Sequence, residues 1–300
     1  MTNVKKTKTK RTKINRSKVE RILYPIVFVC LTIYSLFLLY HFYFALQLAT
    51  KLDSPEFTSH FYTNKLATWS KNFNLANFIT AFQVLKVSNS NYFMLVFNSL
   101  WYSIGSMVLS LFFTSCTTYV VCKYKFFGRN FLYSMVIFTM MLPVVGAMPA
   151  TFRFYKTINI VNSPAILLTA LGGFGGNFLI LYSFFKNISW EYAEAAFIDG
   201  AGHTKVFFKI MLPMALPAIS VLFVTGFITH WNEYMAISIY MPQMPTLAYG
   251  LYIYESNMKY LGNQPVYFAG VLLAVVPCLV LFLISQNTIM QTVHLGGIKG

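Results

Sequence analysis

Of the eight acidic residues in this 300-residue chain, only Glu233 is embedded in a long apolar stretch. A carboxylate in such surroundings is costly and marks a candidate site by default. His230, Trp231 and Asn232 directly precede it, so the segment offers hydrogen-bonding groups beside an indole face of the kind that binds sugar rings. Two readings stay open: Trp231, Asn232 and Glu233 touch a substrate, or they form a satisfied polar cluster against a partner subunit. Catalysis finds no support. The sequence holds no His-Glu-x-x-His, no Gly-x-Ser-x-Gly, no Walker sequence and no acid pair at helical spacing. No catalytic residue, metal site, cofactor or nucleotide site is expected. His60, His203 and His294 stand alone and read as solvated. Cys30, Cys116, Cys122 and Cys278 lie far apart in apolar stretches and read as small buried apolar residues.

A second stretch carries more information. Glu194 to Pro213 reads EAAFIDGAGHTKVFFKIMLP, a polar interruption between two apolar segments. Ser189 suits an N-cap, and Glu191 and Glu194 place acids in the first turn, where the helix dipole favours them. Tyr192, Ala195, Ala196 and Asp199 fall at i, i+3, i+4 and i+7 and share a face. The two alanines make that face shallow enough for another backbone to lie on it. Gly200 to Gly202 breaks the helix. A second short helix is expected from about His203 to Met211, stopped by Pro213. The product is a helix–turn–helix knob.

The register of Glu194, Ala195, Ala196, Gly200, Ile210, Leu212 and Pro213 resembles the EAA loop of bacterial ABC-importer permeases. Asp199, Gly200 and Ala201 are similar to the carbohydrate branch, and in particular to its shorter, maltose-type second permease. Trp231-Asn232-Glu233 and the terminal Gly296 to Gly300 extend the resemblance, which covers most of the chain after about residue 75. Two departures stand out: Ser189 where the family often has proline, and an unusually glycine-rich fourth span. The resemblance implies a permease that is not itself an enzyme. Its partners would be a second homologous permease, two ATP-binding subunits and an extracellular solute-binding protein that delivers a sugar. It implies that the knob docks on an ATPase, that the tail around Gly297, Lys299 and Gly300 reaches the ATPase pair, and that the loop from about 241 to 264 meets the binding protein. Peptide or phosphate import, and ion-coupled secondary transport, remain as alternatives.

The elements that would position these residues follow from composition. The chain is 57% hydrophobic and 10% charged, which leaves too few charges to cover a soluble domain, so a bilayer is the expected solvent. The fold class expected is an all-α polytopic membrane protein. At about 20 residues per crossing, six spans fit: 22–46, 93–121, 131–150, 163–185, 214–239 and 266–290. A membrane domain over 22–300 would thus carry an outside loop at about 47–92, a cytoplasmic loop at about 186–213 and a tail at about 291–300. With both termini inside, the inside segments hold 16 basic residues against seven outside, so the positive-inside rule favours a cytoplasmic N-terminus, and the resemblance implies a bacterial cell membrane.

Nine of the 23 basic residues crowd into residues 1–21. That tail has no aromatic residue to stack on bases, so it reads as an anchor at anionic lipid headgroups and not as a nucleic-acid arm. The outside loop is polar and carries a short helix near 75–84. Pro143 and Pro149 in the third span, Pro217 in the fifth and Pro277 in the sixth are candidate bends. Gly172, Gly173, Gly175 and Gly176 in the fourth span suit close helix packing or a local break facing a pathway, and Gly173 and Gly175 join the candidate pathway residues.

Overall fold

The computed structural model describes residues 18–51, 74–142, 146–257 and 263–296. Among them the secondary structure is helical, with a lone bridge between Val87 and Ser90. Four helices are long and apolar enough to cross a bilayer. They are α1 (Lys18–Ala49), α3 (Tyr92–Lys123), α8 (His203–Trp231) and α11 (Gln264–Gly296). Between α1 and α3 lies α2 (Ala76–Val84), the short helix expected there. Asn77 on α2 donates from its amide to the carbonyls of Ala49 and Lys51, which satisfies acceptors left open at the end of α1.

The remaining segments are broken. The third expected span divides into α4 (Arg129–Met141) and α5 (Met148–Thr157), with Pro149 in the first turn of α5, where its missing N–H costs nothing. Pro143 lies outside the described residues, as do residues 1–17 of the basic tail, much of the outside loop, and Gly297, Lys299 and Gly300. The fourth span opens as a 3₁₀ turn (Pro164–Ala170), passes through the glycines without regular structure, and becomes helical as α6 (Gly176–Asn187). Of the two readings of those glycines, the break is the one found. The fifth span ends at Trp231, eight residues early, and α9 (Met235–Tyr240) follows after a bend. Then come α10 (Leu247–Ser256) and α11, which runs unbroken through Pro277.

Packing fixes the arrangement. Tyr92 and Leu95 at the start of α3 share an apolar cluster with Phe227 and Trp231 at the end of α8. Tyr119 and Cys122, at the other end of α3, cluster with Val206 and Phe207 at the start of α8. The two helices therefore run antiparallel, side by side, and form the centre of the bundle. At Gly226 the two helices leave no room for a side chain, since a Cβ there would collide with Met107. α1 packs chiefly on α11 and leaves every residue from Ile22 to Tyr43 exposed, an apolar girdle that water would penalise and lipid accepts. Cys30 belongs to that exposed girdle and is not buried; Cys116, Cys122 and Cys278 sit inside or half inside the bundle.

Candidate functional site

The knob begins at α7 (Glu191–Ile198). The Ser189 hydroxyl accepts the Glu191 amide at 3.3 Å, so the serine caps the helix where a proline would leave the amide open. At the far end Gly200 has φ +78°, a left-handed conformation that residues with a side chain avoid. Its amide donates to Phe197 O at 3.0 Å, and the Ala201 amide reaches back to Ala196 O at 2.9 Å. This bond pair is the Schellman stop, and it turns the chain sharply into α8. Gly202 is ordinary extended backbone (φ −76°, ψ 163°) and takes no part in the stop.

Two expectations about the knob need correction. α8 does not stop at Pro213 but continues to Trp231. Phe207–Met211 widens into a π turn, with the Leu212 amide bonded to Phe207 O, and this change of register lies immediately before the proline that has no amide to give. Ile210, Leu212 and Pro213 are thus part of a crossing helix and not of a detached one. Nor do Ala195 and Ala196 lie on one free face: Ala196 and Ala193 are buried against Val206 and Phe207, whereas Ala195, Glu194, Asp199 and Gly200 are exposed. The outward surface carries Tyr192 and, at the tip, Ile198, which is 86% exposed. Nothing among the described residues covers that isoleucine, and the sequence reading passed over it.

The knob is fastened to the bundle by aromatic rings. Tyr124, just past α3, hydrogen-bonds His203 Nδ1 at 2.8 Å, and the His203 ring stacks edge-on against Phe197 at 4.9 Å. Trp190 packs on both Tyr124 and Phe197. Lys123 Nζ donates to the Ile188 carbonyl at the end of α6. His203 is exposed, as expected, but not alone: it is a pin between the turn and the spans.

A second feature sits deeper. Where the fourth span breaks, a cleft of about 390 Å³ opens between α3, the glycine segment and the end of α8. Tyr102, Ser106, Ser110 and Thr114 line one wall; Gly172, Gly175 and Asn177 line another, and His230 closes one end against the Tyr102 ring. Thr114 and Thr117 hold the broken strand to α3, donating to Gly172 O at 3.0 Å and Gly173 O at 2.8 Å. Gly173 has no room for a side chain, since a Cβ there would lie 2.7 Å from Thr117 Cγ2. Of the two pathway glycines, Gly175 faces the cleft and Gly173 packs behind it.

The segment that drew attention first is placed otherwise. Trp231 is 2% exposed, stacks on Phe227 and donates its indole N–H to Ala274 O at 3.1 Å, so its flat face is already covered. Asn232 bonds back to Ile228 O, and Glu233 accepts the Ala236 amide at 2.9 Å. Glu233 therefore sits in the bend between α8 and α9 and not inside a continuous span. A stripe of hydroxyls at 99, 103, 106, 110, 114 and 117, repeating every three or four residues through apolar α3, was the sequence signal that could have located the cleft.

Residues 119–291 match the family described as binding-protein-dependent transport system inner membrane component. The chain is 31% identical over 210 residues to an arabinooligosaccharide transport system permease of Halalkalibacterium halodurans, spanning 68% of this chain and 73% of that relative. It is 30% identical over 210 residues to the maltodextrin transport system permease of Bacillus subtilis, spanning 68% and 74%. A crystal structure of a bacterial ABC transporter involved in the import of the acidic polysaccharide alginate has the same fold, with a TM-score of 0.70 over 92% of this chain and 99% of that one at 20% identity. A family match across residues 119–291, together with spans that only a bilayer would solvate, makes this chain a multi-pass membrane member of the binding-protein-dependent transport system inner membrane components, a transport subunit and not an enzyme.

Proposed function

We propose that the chain is one permease subunit of an ATP-driven importer for a sugar or oligosaccharide. Its knob receives the stroke of an ATPase subunit and passes it to the spans. The observation that carries this reading is the capped turn at Gly200 with Ile198 bare at its tip, an apolar projection with no partner among the described residues. A lever must be stiff and joined to what it moves. The knob meets both demands, because its second helix is the start of α8. An ATPase that closes on ATP would carry the knob with it, and α8 would tilt against α3, in keeping with alternating access.

The sugar assignment is supported by relatives whose substrates are arabinooligosaccharides, maltodextrins and, in a third from Bacillus subtilis at 30% identity, polygalacturonan or rhamnogalacturonan. One chain bounds only half of a pathway, so a second, homologous permease completes it. Two ATPase subunits and a solute-binding protein complete the complex, with the knob and both termini in the cytoplasm. The tail at Gly297 to Gly300 is assigned to the ATPase pair. Affinity-tagged chain extracted from its native membrane tests the assignment. An ATPase should copurify from wild type and be released by Ile198→Asp, with ATP-dependent saccharide uptake lost in the same variant. Retention of the ATPase and of uptake by Ile198→Asp would contradict the docking role.

A further inference from the structure

The loop from α3 to α4 is a basic and aromatic turn at the same end of the bundle as the knob. The Arg129 amide returns to Phe126 O at 3.4 Å, and Gly128, with φ +87°, supplies the left-handed residue that closes such a turn. Phe127 therefore stands at the apex, wholly exposed, with Phe126 and Phe131 exposed on either side. Lys125, Arg129 and Asn130 wall a cavity of about 430 Å³ together with Phe126 and Phe131. Lys123, Arg129 and Lys186 gather around the Cys122 thiol, so the patch holds four cations. No acidic residue occurs between Glu56 and Glu191 in the sequence. Among the described residues no carboxylate pairs with Lys125, Arg129 or Lys186. The cations repel one another until an anion joins them.

An apolar stripe leads away from this cluster and starts within one turn of Arg129. Phe131, Met135 and Phe138 fall at i, i+4 and i+7 on α4 and are all exposed, whereas Val136, on another face, is buried against Val121 and Phe178. Leu142, exposed and just past the helix, extends the stripe. From Phe131 to Leu142 it rises about 16 Å, close to half the thickness of the hydrocarbon core. We propose that the patch is a binding site for an anionic phospholipid, whose phosphate meets Lys125 and Arg129 and whose acyl chain lies along Phe131, Met135 and Phe138. A free phosphate, or an acidic protein surface seated on the cations, would leave a leaflet-long apolar track uncovered. Lipid answers both halves of the patch at once. The proposal is independent of which solute the chain carries.

The test titrates the complete complex in detergent with phosphatidylglycerol and with phosphatidylcholine of the same chain length, counting bound lipid by mass spectrometry of the intact assembly. Wild type should hold phosphatidylglycerol the tighter. Lys125→Gln combined with Arg129→Gln should weaken that Kd about 25-fold, or about fivefold for each charge removed, and leave the phosphatidylcholine Kd unchanged. The charge-conserving pair Lys125→Arg and Arg129→Lys should keep the wild-type Kd, which separates lost charge from lost fold. Phe138→Ser should weaken both lipids alike. Lys156→Gln, on α5 and away from the patch, should change neither. Equal Kd for the two lipids in wild type, an unchanged Kd in the doubly neutral variant, or an equal loss from Lys156→Gln would overturn the site. Displacement of phosphatidylglycerol by inorganic phosphate at matched concentration would make it a free-anion site instead. Loss of a copurifying ATPase from the neutral variant, with its lipid Kd intact, would assign the patch to that subunit and overturn the lipid reading.

Discussion

Ser99 and Ser106 lie seven residues apart on α3 and put the same hydroxyl to opposite uses. Ser99 accepts the buried Leu247 amide at 2.8 Å and donates to Leu95 O, which ties α3 to the start of α10. Its loss in Ser99→Ala leaves that amide without an acceptor. We expect the purified protein to lose about 1–3 kcal/mol of stability, read as a lower thermal midpoint, with saccharide Kd unchanged. Nothing in the sequence separates the two serines, because both sit in the same periodic stripe; what faces each is decided by chain more than 60 residues away. Trp231 makes the same point. An indole beside an acid reads as a binding face, and only the arrival of α11, which brings the Ala274 carbonyl, converts it to packing.

At the scale of elements, local chemistry was legible and continuity was not. The α7 cap at Ser189, the stop at Gly200 and the short helix between α1 and α3 follow from rules that act over four or five residues, and each is present. Hydropathy reads whether a segment tolerates lipid but not whether it stays helical. The breaks in the third, fourth and fifth segments were therefore placed wrongly or left open, although the glycines and Pro149 stood at two of them. Pro213 failed for the opposite reason: a π turn lets the helix pass a residue that normally ends it. The two loop glycines can be told apart by experiment. Gly200→Ala forces a left-handed residue and should cost roughly 1–2 kcal/mol, seen as faster amide exchange over α7. Gly202→Ala meets open space at an ordinary φ and should leave exchange unchanged. Equal effects from both would mean that the Schellman stop does not set the turn.

Across the whole molecule the design is one of a stiff centre and an open surface. α3 and α8 lie antiparallel; the knob is joined to the start of α8, and the cleft lies further along α3, against the other end of α8. A push on the knob therefore bears on a helix whose far end carries His230 at the cleft. Lipid meets α1 and the outer faces, which hold apolar residues and no free charge from Ile22 to Phe42. Composition alone made the membrane and the helical class readable. The cleft was hidden, because it arises where a helix fails to form.

The claim that the knob transmits force is tested most directly by cysteine crosslinking at its tip. Ile198→Cys in membrane vesicles, treated with a short bifunctional reagent, should capture an ATP-hydrolysing subunit in high yield, and the yield should change when ATP is added. Failure to capture any ATPase from Ile198→Cys in vesicles that still transport with ATP would contradict the account.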